Sequence, residues 1–269
     1  MERTRFAAVA GQFYPLDPAE LEGSIADMLD PSAEDIIDSR RFKAFILPHS
    51  SYKQCGVVMG AGYAKLLERE IDEVFVMSGT HFHQAEGVIM SDFSRWETPL
   101  GYVEESHRRN QIAGSDDSAA QNLIQQDNDP FDGEHAIEVH LPVLQYLWGE
   151  EFRFLPLIIG KGSPRLAANS LVKFIDPDDL IICSSELSHG YPADYAKDID
   201  KRAIDSILKL DVDAILHDSF KAFSINSIAT LVEIARLKVW KAELLMYKNS
   251  SEFVKNDSKT SGYVAIGFY

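Results

Sequence analysis

The chain has 269 residues, of which 45% are hydrophobic, and its formal net charge at pH 7 is −16. The length suits one large α/β domain, and the acidic charge argues against nucleic acid and anionic membrane surfaces as partners. Two cysteines, Cys55 and Cys183, are too few for a disulfide framework, which favours a reducing, cytoplasmic setting. The apolar stretch at residues 6–11 is too short for a signal peptide, and no apolar run reaches transmembrane length.

The pattern of apolar residues predicts strands that alternate with helices. Asp17 is a suitable N-cap for a first helix, with Pro18 in the first helical position. Strands are predicted at 42–47, 73–78, 88–90, 152–159, 180–185, 241–247 and 262–268, with a β excursion at 96–103. Further helices are predicted at 56–69, 134–148, 165–174, 191–210, 212–220 and 227–237, and two short ones within 106–126. Pro142 is expected to end or kink the first part of the helical pattern at 134–148. We therefore predict a single α/β domain over residues 1–269, with a mostly parallel sheet sandwiched between helices.

Three predicted strands lead directly into a histidine. His49 follows the strand at 42–47, His81 follows the strand at 73–78, and His189 follows the strand at 180–185. Ligands of open α/β sheets bind at the carboxyl ends of the strands, so the three histidines are expected to share one site. Neutral imidazole is the commonest metal ligand, which favours a metal or catalytic site over three separate structural histidines. Two or three histidines with a carboxylate suit Fe(II), and three histidines with a water suit zinc.

Four further residues are candidates for roles in this site. Glu186 precedes His189 by three residues, and a metal ligand, an orienting carboxylate and a salt bridge are all open to it. His135 and His140 are five residues apart, which places them on different faces of a helix and excludes a metalloprotease helix motif. One of the two histidines is expected to act as acid, base or substrate contact. Tyr52 is placed either as a proton donor to the crevice or in the core.

Six motifs occur in the order found in the Memo family. They are AGQFYP at 10–15, PHSSY at 48–52, GTHFH at 79–83, EHAIEVHLP at 134–142, SSELSHG at 184–190 and SGYVAIGF at 261–268. The chain thus resembles Memo proteins over nearly its whole length. The resemblance implies a fold similar to that of class III extradiol ring-cleavage dioxygenases, which use non-haem Fe(II).

The resemblance also implies ligands and partners. By matching motif, the metal-binding histidines are His49, His81 and His189. Copper binding and redox activity have been attributed to the family, and phosphotyrosine-peptide recognition to its animal members. Microbial Memo proteins are associated with radical-SAM and AMMECR-type partners.

The chain departs from the family pattern in three places. PHSSYKQCG at 48–56 replaces the usual PHAGY followed by Ser-Gly, and Glu186 stands where the family has aspartate. SINS at 224–227 replaces the expected Cys-Gly, and Cys55 is not its positional equivalent. The missing cysteine argues against thiol-dependent copper or redox chemistry, while the three histidines keep metal binding open.

The sequence leads to three hypotheses of function. The first is a metal-dependent oxidoreductase of the dioxygenase type, with a divalent metal, Fe(II) first and copper or zinc as alternatives. It would act on a small aromatic, catecholate-like molecule, with His135 or His140 moving protons. The second is a non-catalytic module that binds a peptide or metabolite in the same pocket. The third is a zinc-dependent hydrolase.

Overall fold

The structure is a computed structural model that describes residues 3–29, 40–115, 121, 123–217, 221–253 and 256–269. Its strands are β1 Thr4–Arg5, β2 Ala44–Leu47, β3 Glu73–Ser78, β4 Val88–Met90, β5 Arg95–Thr98, β6 Gly101–Glu104, β7 Ile124–Gln126, β8 Arg153–Ile159, β9 Leu180–Ser184, β10 His189–Tyr191, β11 Ala242–Asn249 and β12 Thr260–Phe268. The helices of the described residues are α1 Pro18–Leu29, α2 Tyr52–Tyr63, α3 Arg108–Ala113, α4 His135–Glu138, α5 Leu141–Trp148, α6 Pro164–Leu171, α7 Ala193–Leu208, α8 Val212–His217 and α9 Ile225–Leu237.

Nine of the strands form one mixed sheet. Its order is β10-β12-β2-β9-β3-β8-β4-β7, and β11 pairs with β12 outside this path. The four central strands, β2, β9, β3 and β8, are parallel to one another, whereas β12 and β4 flank them in the antiparallel sense. The remaining strands, β1, β5 and β6, form a small separate sheet. The structure confirms the predicted α/β class, with the parallel strands confined to the centre.

The central strands are buried on both faces, which explains their continuous apolar sequences. Every residue of β2 is buried, and its side chains alternate between two hydrophobic clusters. Phe45 and Leu47 face the cluster that contains α1, α2 and α5. Ala44 and Ile46 face the cluster that contains α6, α7 and α9. The helices thus cover the sheet on two sides, as the alternating pattern predicted.

Several predicted boundaries were wrong. The helix expected from Gly56 begins at Tyr52, where the backbone N–H of Tyr52 is bonded to the carbonyl of Phe13. The helical pattern over 134–148 was expected to end or kink at Pro142, and it is indeed two helices. The break lies a few residues earlier, so Pro142 is in the first turn of the second helix, where a missing N–H has no cost. The helix expected from Tyr191 begins at Ala193 because the preceding residues pair with β12. Parts of two predicted helices, at 116–120, 122 and 218–220, lie outside the described residues.

Within the part of the chain that the structure describes, none of the helices has the length and apolar composition needed to cross a membrane.

Candidate metal centre

Three neighbouring strands bring the candidate residues to one edge of the sheet. In the order β2, β9, β3, the parallel strands end side by side at Leu47, Ser184 and Ser78. His49 follows β2 and His81 follows β3, so the two imidazoles lie on either side of the end of β9. Their ring centroids are 5.3 Å apart. The carboxyl ends of β2, β9 and β3 therefore lie side by side at one edge of the sheet.

His135 joins His49 and His81 in one group. Each of the three offers a ring nitrogen, and these nitrogens all lie within 4.8 Å of one another. The ring centroids of His81 and His135 are 4.2 Å apart, and those of His49 and His135 are 5.7 Å apart. The group has the residue types and spacing of a metal site with three imidazole ligands.

His49 is held from behind by Ser184. Nδ1 of His49 lies 2.9 Å from the hydroxyl oxygen of Ser184, which leaves Nε2 as the nitrogen that faces the group. Burial lowers the pKa of His49 well below its usual value, and the neighbouring imidazoles lower it further. His49 is consequently neutral at pH 7, the form in which imidazole binds metals.

Glu134 performs the corresponding role for His81. The Nδ1 hydrogen of His81 is donated to one carboxylate oxygen of Glu134 at 2.8 Å, and its backbone N–H to the other at 2.6 Å. Burial alone raises the pKa of Glu134, but hydrogen bonds from His81 and from the N–H of Ala136 bring the pKa below its usual value. A carboxylate that accepts from Nδ1 fixes the ring and increases the basicity of Nε2.

Glu134 also sets the position of His135. It is the N-cap of α4, where its side chain accepts the backbone N–H of Ala136 at 2.9 Å. His135 is the first residue of this helix, and its Nδ1 lies 3.7 Å from the same carboxylate. Burial, followed by the charge of His81, lowers the pKa of His135, so it too is neutral at pH 7.

His189, the third ligand implied by the resemblance, lies at the rim of the site and outside this group. It opens β10 with a side chain that is 74% exposed, and its Nδ1 is 3.2 Å from Glu186 and 2.9 Å from the hydroxyl of Ser261. The hydrogen bond with Glu186 raises the pKa of His189. The segment between the two residues is anchored by Asp200, which accepts the N–H and the hydroxyl hydrogen of Ser188 at 2.8 Å each.

Two other candidate residues have their polar atoms bonded inside the protein. Tyr52 is buried, and its hydroxyl donates to the carbonyl of Val139 at 2.7 Å, while burial raises its pKa well above the usual value. His140 is fully buried, with one ring nitrogen 2.8 Å from the hydroxyl of Tyr63 and the other 2.9 Å from Ser184. Neither side chain points a free polar atom at the three imidazoles. His140 contacts Ser184 behind them, and Tyr52 belongs to the hydrophobic core.

Aromatic rings border the three imidazoles. Phe223 stacks on His81 with a centroid distance of 3.8 Å and an interplanar angle of 17°, and it packs edge-to-face against His49 with a centroid distance of 5.0 Å. Phe13 contacts His135 at 4.6 Å in an edge arrangement. Phe82, which is 64% exposed, lies 6.5 Å from the same ring. The approach to the group is therefore apolar and aromatic.

Ser224, the first residue of the SINS segment at 224–227, has a structural role in this chain. The hydroxyl of Ser224 accepts the backbone N–H of Gly79 at 2.7 Å and contacts Ser78 at 3.2 Å. Cys55 and Cys183 are both buried free thiols, burial raises the pKa of each, and neither belongs to the histidine group.

The buried histidine His140 predicts a pH dependence of stability. Its pKa is lowered by burial from 6.5 to about 3. Between these two pH values, His140 is therefore protonated in the unfolded chain and neutral in the folded protein. Acidification from roughly pH 8 to 5 is expected to lower the free energy of unfolding by about 2 kcal/mol through this residue alone. Denaturant unfolding of metal-free protein measures the slope, and His140→Gln is expected to flatten it. An unchanged slope in this variant would contradict the assignment.

The fold and the site define a mixed α/β protein with a cluster of three imidazoles at the carboxyl ends of its central strands. A family model described as "Memo-like protein" matches residues 5–267, and the chain belongs to the Memo family. Relatives described as MEMO1 family proteins include one from Desulfurococcus amylolyticus, 31% identical over 99% of both chains. Another, from Methanopyrus kandleri, is 30% identical over 100% of this chain and 99% of its own length.

A solved structure of an uncharacterized protein from Escherichia coli K12 is also similar. It covers 84% of this chain and 99% of its own, with 14% identity and a TM-score of 0.48.

The prediction of one domain over residues 1–269 stays a prediction.

Proposed function

We propose that His49, His81 and His135 bind one divalent metal ion. The observation that carries the proposal is the convergence of three ring nitrogens within 4.8 Å. Two hydrogen bonds also support the proposal. Nδ1 of His49 is hydrogen-bonded to Ser184, and Nδ1 of His81 is hydrogen-bonded to Glu134. Their Nε2 atoms are thereby free, and low pKa values keep His49 and His135 unprotonated.

The proposed metal is Fe(II), with copper and zinc as alternatives. Imidazole nitrogen suits iron, copper and zinc, whereas Mg²⁺ and Ca²⁺ prefer oxygen ligands. Three protein ligands leave coordination positions open for a substrate, as in catalytic rather than structural metal sites. Carboxylates nearby, Glu134 and Glu186, contribute negative charge that favours a cation.

We propose further that the site carries out oxidoreductase chemistry of the dioxygenase type on a small aromatic molecule. Fe(II) held by His49, His81 and His135 would supply the redox chemistry of such a reaction. The rings of Phe13, Phe82 and Phe223 offer apolar and edge contacts to a planar substrate.

We assign proton exchange with such a substrate to His189. Its imidazole is exposed at the rim of the site, and Glu186 orients it through Nδ1. The hydrogen bond to Glu186 raises the pKa of His189, which favours the protonated ring that can donate a proton. Both ring nitrogens of His140 are hydrogen-bonded inside the core, to Tyr63 and Ser184, so we assign it a positioning role.

O₂ uptake by Fe(II)-loaded protein with a panel of catechols tests the reaction class. Uptake above background is expected in the wild type, with a loss of about 10²–10⁴-fold in His189→Ala if this residue transfers the proton. His107→Ala removes a surface imidazole and is expected to match the wild type. Background uptake with every catechol, in protein that holds one iron, would contradict the dioxygenase proposal and favour a non-catalytic binding module for a peptide or metabolite.

A zinc-dependent hydrolase is the second candidate. The observation that favours it is the donor set, since three imidazoles without a carboxylate are the ligands of several catalytic zinc sites. Hydrolysis of generic esters by zinc-loaded protein, abolished by a chelator and by His135→Ala, is the result that this alternative predicts.

A further inference from the structure

A buried serine lies directly behind the proposed metal ligands. Ser184, the last residue of β9, is fully buried, and three polar atoms surround its hydroxyl oxygen. They are the carbonyl oxygen of Ala136 at 2.6 Å, Nδ1 of His49 at 2.9 Å and Nε2 of His140 at 2.9 Å. A hydroxyl has one hydrogen to donate and two lone pairs that accept, so these three contacts occupy its full capacity.

The contact with Ala136 determines the direction of the other two bonds. A carbonyl oxygen only accepts, so Ser184 donates its single hydrogen to Ala136. Both imidazoles must then donate to Ser184, His49 through Nδ1–H and His140 through Nε2–H. A neutral imidazole carries one N–H, so Nε2 of His49 is left with a free lone pair.

The chain of hydrogen bonds continues from His140 to Tyr63. Burial keeps His140 neutral, with a pKa lowered to about 3. Since the proton of His140 is on Nε2, its Nδ1 accepts, and the hydroxyl of Tyr63 lies 2.8 Å away as the donor. Tyr63 is itself fully buried, so a reversed chain would leave a polar hydrogen without an acceptor.

We propose that Tyr63, His140 and Ser184 form a positioning relay that holds His49 in the tautomer with its hydrogen on Nδ1. This tautomer presents the Nε2 lone pair to the metal, so the relay controls metal affinity although none of its members touches the ion. The consequence for affinity rests on the proposed metal site. The tautomer itself is a property of the metal-free protein, and it is measurable on its own.

Long-range ¹H–¹⁵N NMR of metal-free, ¹⁵N-labelled protein reports the tautomer of each histidine. In the wild type, His49 is expected to show a protonated Nδ1 and an unprotonated Nε2. Ser184→Ala removes the acceptor and is expected to give a mixture of tautomers or the opposite one. Ser78→Ala is the matched control, because it deletes the same buried hydroxyl from the neighbouring strand end without a contact to any ring.

Zinc titration against a chromophoric chelator then measures affinity. Ser184→Ala is expected to weaken zinc binding by about 10–100-fold, the usual effect of losing a group that orients a ligand, while Ser78→Ala binds as the wild type does. His140→Gln keeps an N–H donor for Ser184 and is expected to retain more affinity than His140→Leu. Thermal unfolding of each variant separates lost affinity from lost folding, and Tyr63→Phe offers a milder variant if Ser184→Ala does not fold.

Three results would overturn the relay. The first is a wild-type His49 with its hydrogen on Nε2, and the second is an unchanged tautomer in Ser184→Ala. The third is a changed tautomer with unchanged zinc affinity. A wild type that binds no zinc but shows the Nδ1–H tautomer, altered by Ser184→Ala, would refute the metal proposal while the relay's control of the tautomer stands.

Discussion

Replacement of Glu138 by alanine is expected to lower the free energy of unfolding by about 3–5 kcal/mol, the range for a buried ion pair that loses one partner. The carboxylate of Glu138 is fully buried and paired with the buried guanidinium of Arg5. It also accepts the backbone N–H groups of Ala8 and Val9 and the hydroxyl hydrogen of Tyr14 at 2.6–3.0 Å. In the variant, the N–H groups of Ala8 and Val9, the hydroxyl of Tyr14 and the guanidinium of Arg5 all lose this carboxylate.

This carboxylate ties the first segment of the chain to the helix that begins with His135. Residues 5–14 lie across α4 through Glu138, and Phe13 is thereby placed against His135. Denaturant unfolding of Glu138→Ala beside Glu151→Ala, a surface carboxylate on the loop before β8, measures the effect. A Glu138→Ala variant within about 0.5 kcal/mol of the wild type, as surface substitutions usually are, would show that the buried pair does not stabilise the fold.

Glu134→Ala is expected to weaken metal binding by about 10–100-fold, because Glu134 orients two of the three proposed ligands. Its carboxylate accepts Nδ1–H of His81 and caps the helix that His135 begins. Without this acceptor His81 is free to rotate and to place its hydrogen on Nε2. Glu134→Gln keeps one acceptor oxygen and is expected to fall between the alanine variant and the wild type.

The measurement is a competitive zinc titration, with Glu150→Ala, an exposed carboxylate after α5, as the control. Equal affinities for the Glu134→Ala and Glu150→Ala proteins would mean that Glu134 does not orient the ligands. Thermal unfolding shows whether Glu134→Ala is folded. If it is not, the zinc affinity of Glu134→Gln is compared with that of Glu150→Ala instead.

The sequence predicted much of this site because a buried parallel strand is easily recognised. Apolar runs that stop at a polar turn placed His49 and His81 at strand ends, and both lie there. The order of the strands was beyond prediction, since pairing between β2, β9 and β3 depends on contacts between residues distant in sequence.

His135 was expected in the site, but as a proton-transfer group. Pro142 was expected to end or kink the helical pattern over 134–148. The break lies just before it, at Val139 and His140, and leaves α4 as a single short turn. His189 lies at the rim because the chain turns after Glu186 into β10, which pairs antiparallel with β12. The local sequence contains no pattern that predicts the pairing of β10 with β12.

Glu134 and Ser184 were missed as orienting groups. The position of Glu134 before a helical pattern predicts a helix start. Its hydrogen bond with His81 could not be predicted, because it joins residues 53 positions apart in the sequence. Ser184 sits at the end of an apolar strand, where a serine is indistinguishable from a core residue without the structure.

The metal content of the purified protein tests the account most directly. Elemental analysis of the anaerobically prepared, Fe(II)-loaded wild type is expected to give one metal ion per chain. His49→Ala, His81→Ala and His135→Ala are each expected to lose it, whereas His189→Ala retains it. A wild type without metal would refute the site, and a metal that survives His135→Ala but is lost in His189→Ala would replace His135 with His189 as the third ligand.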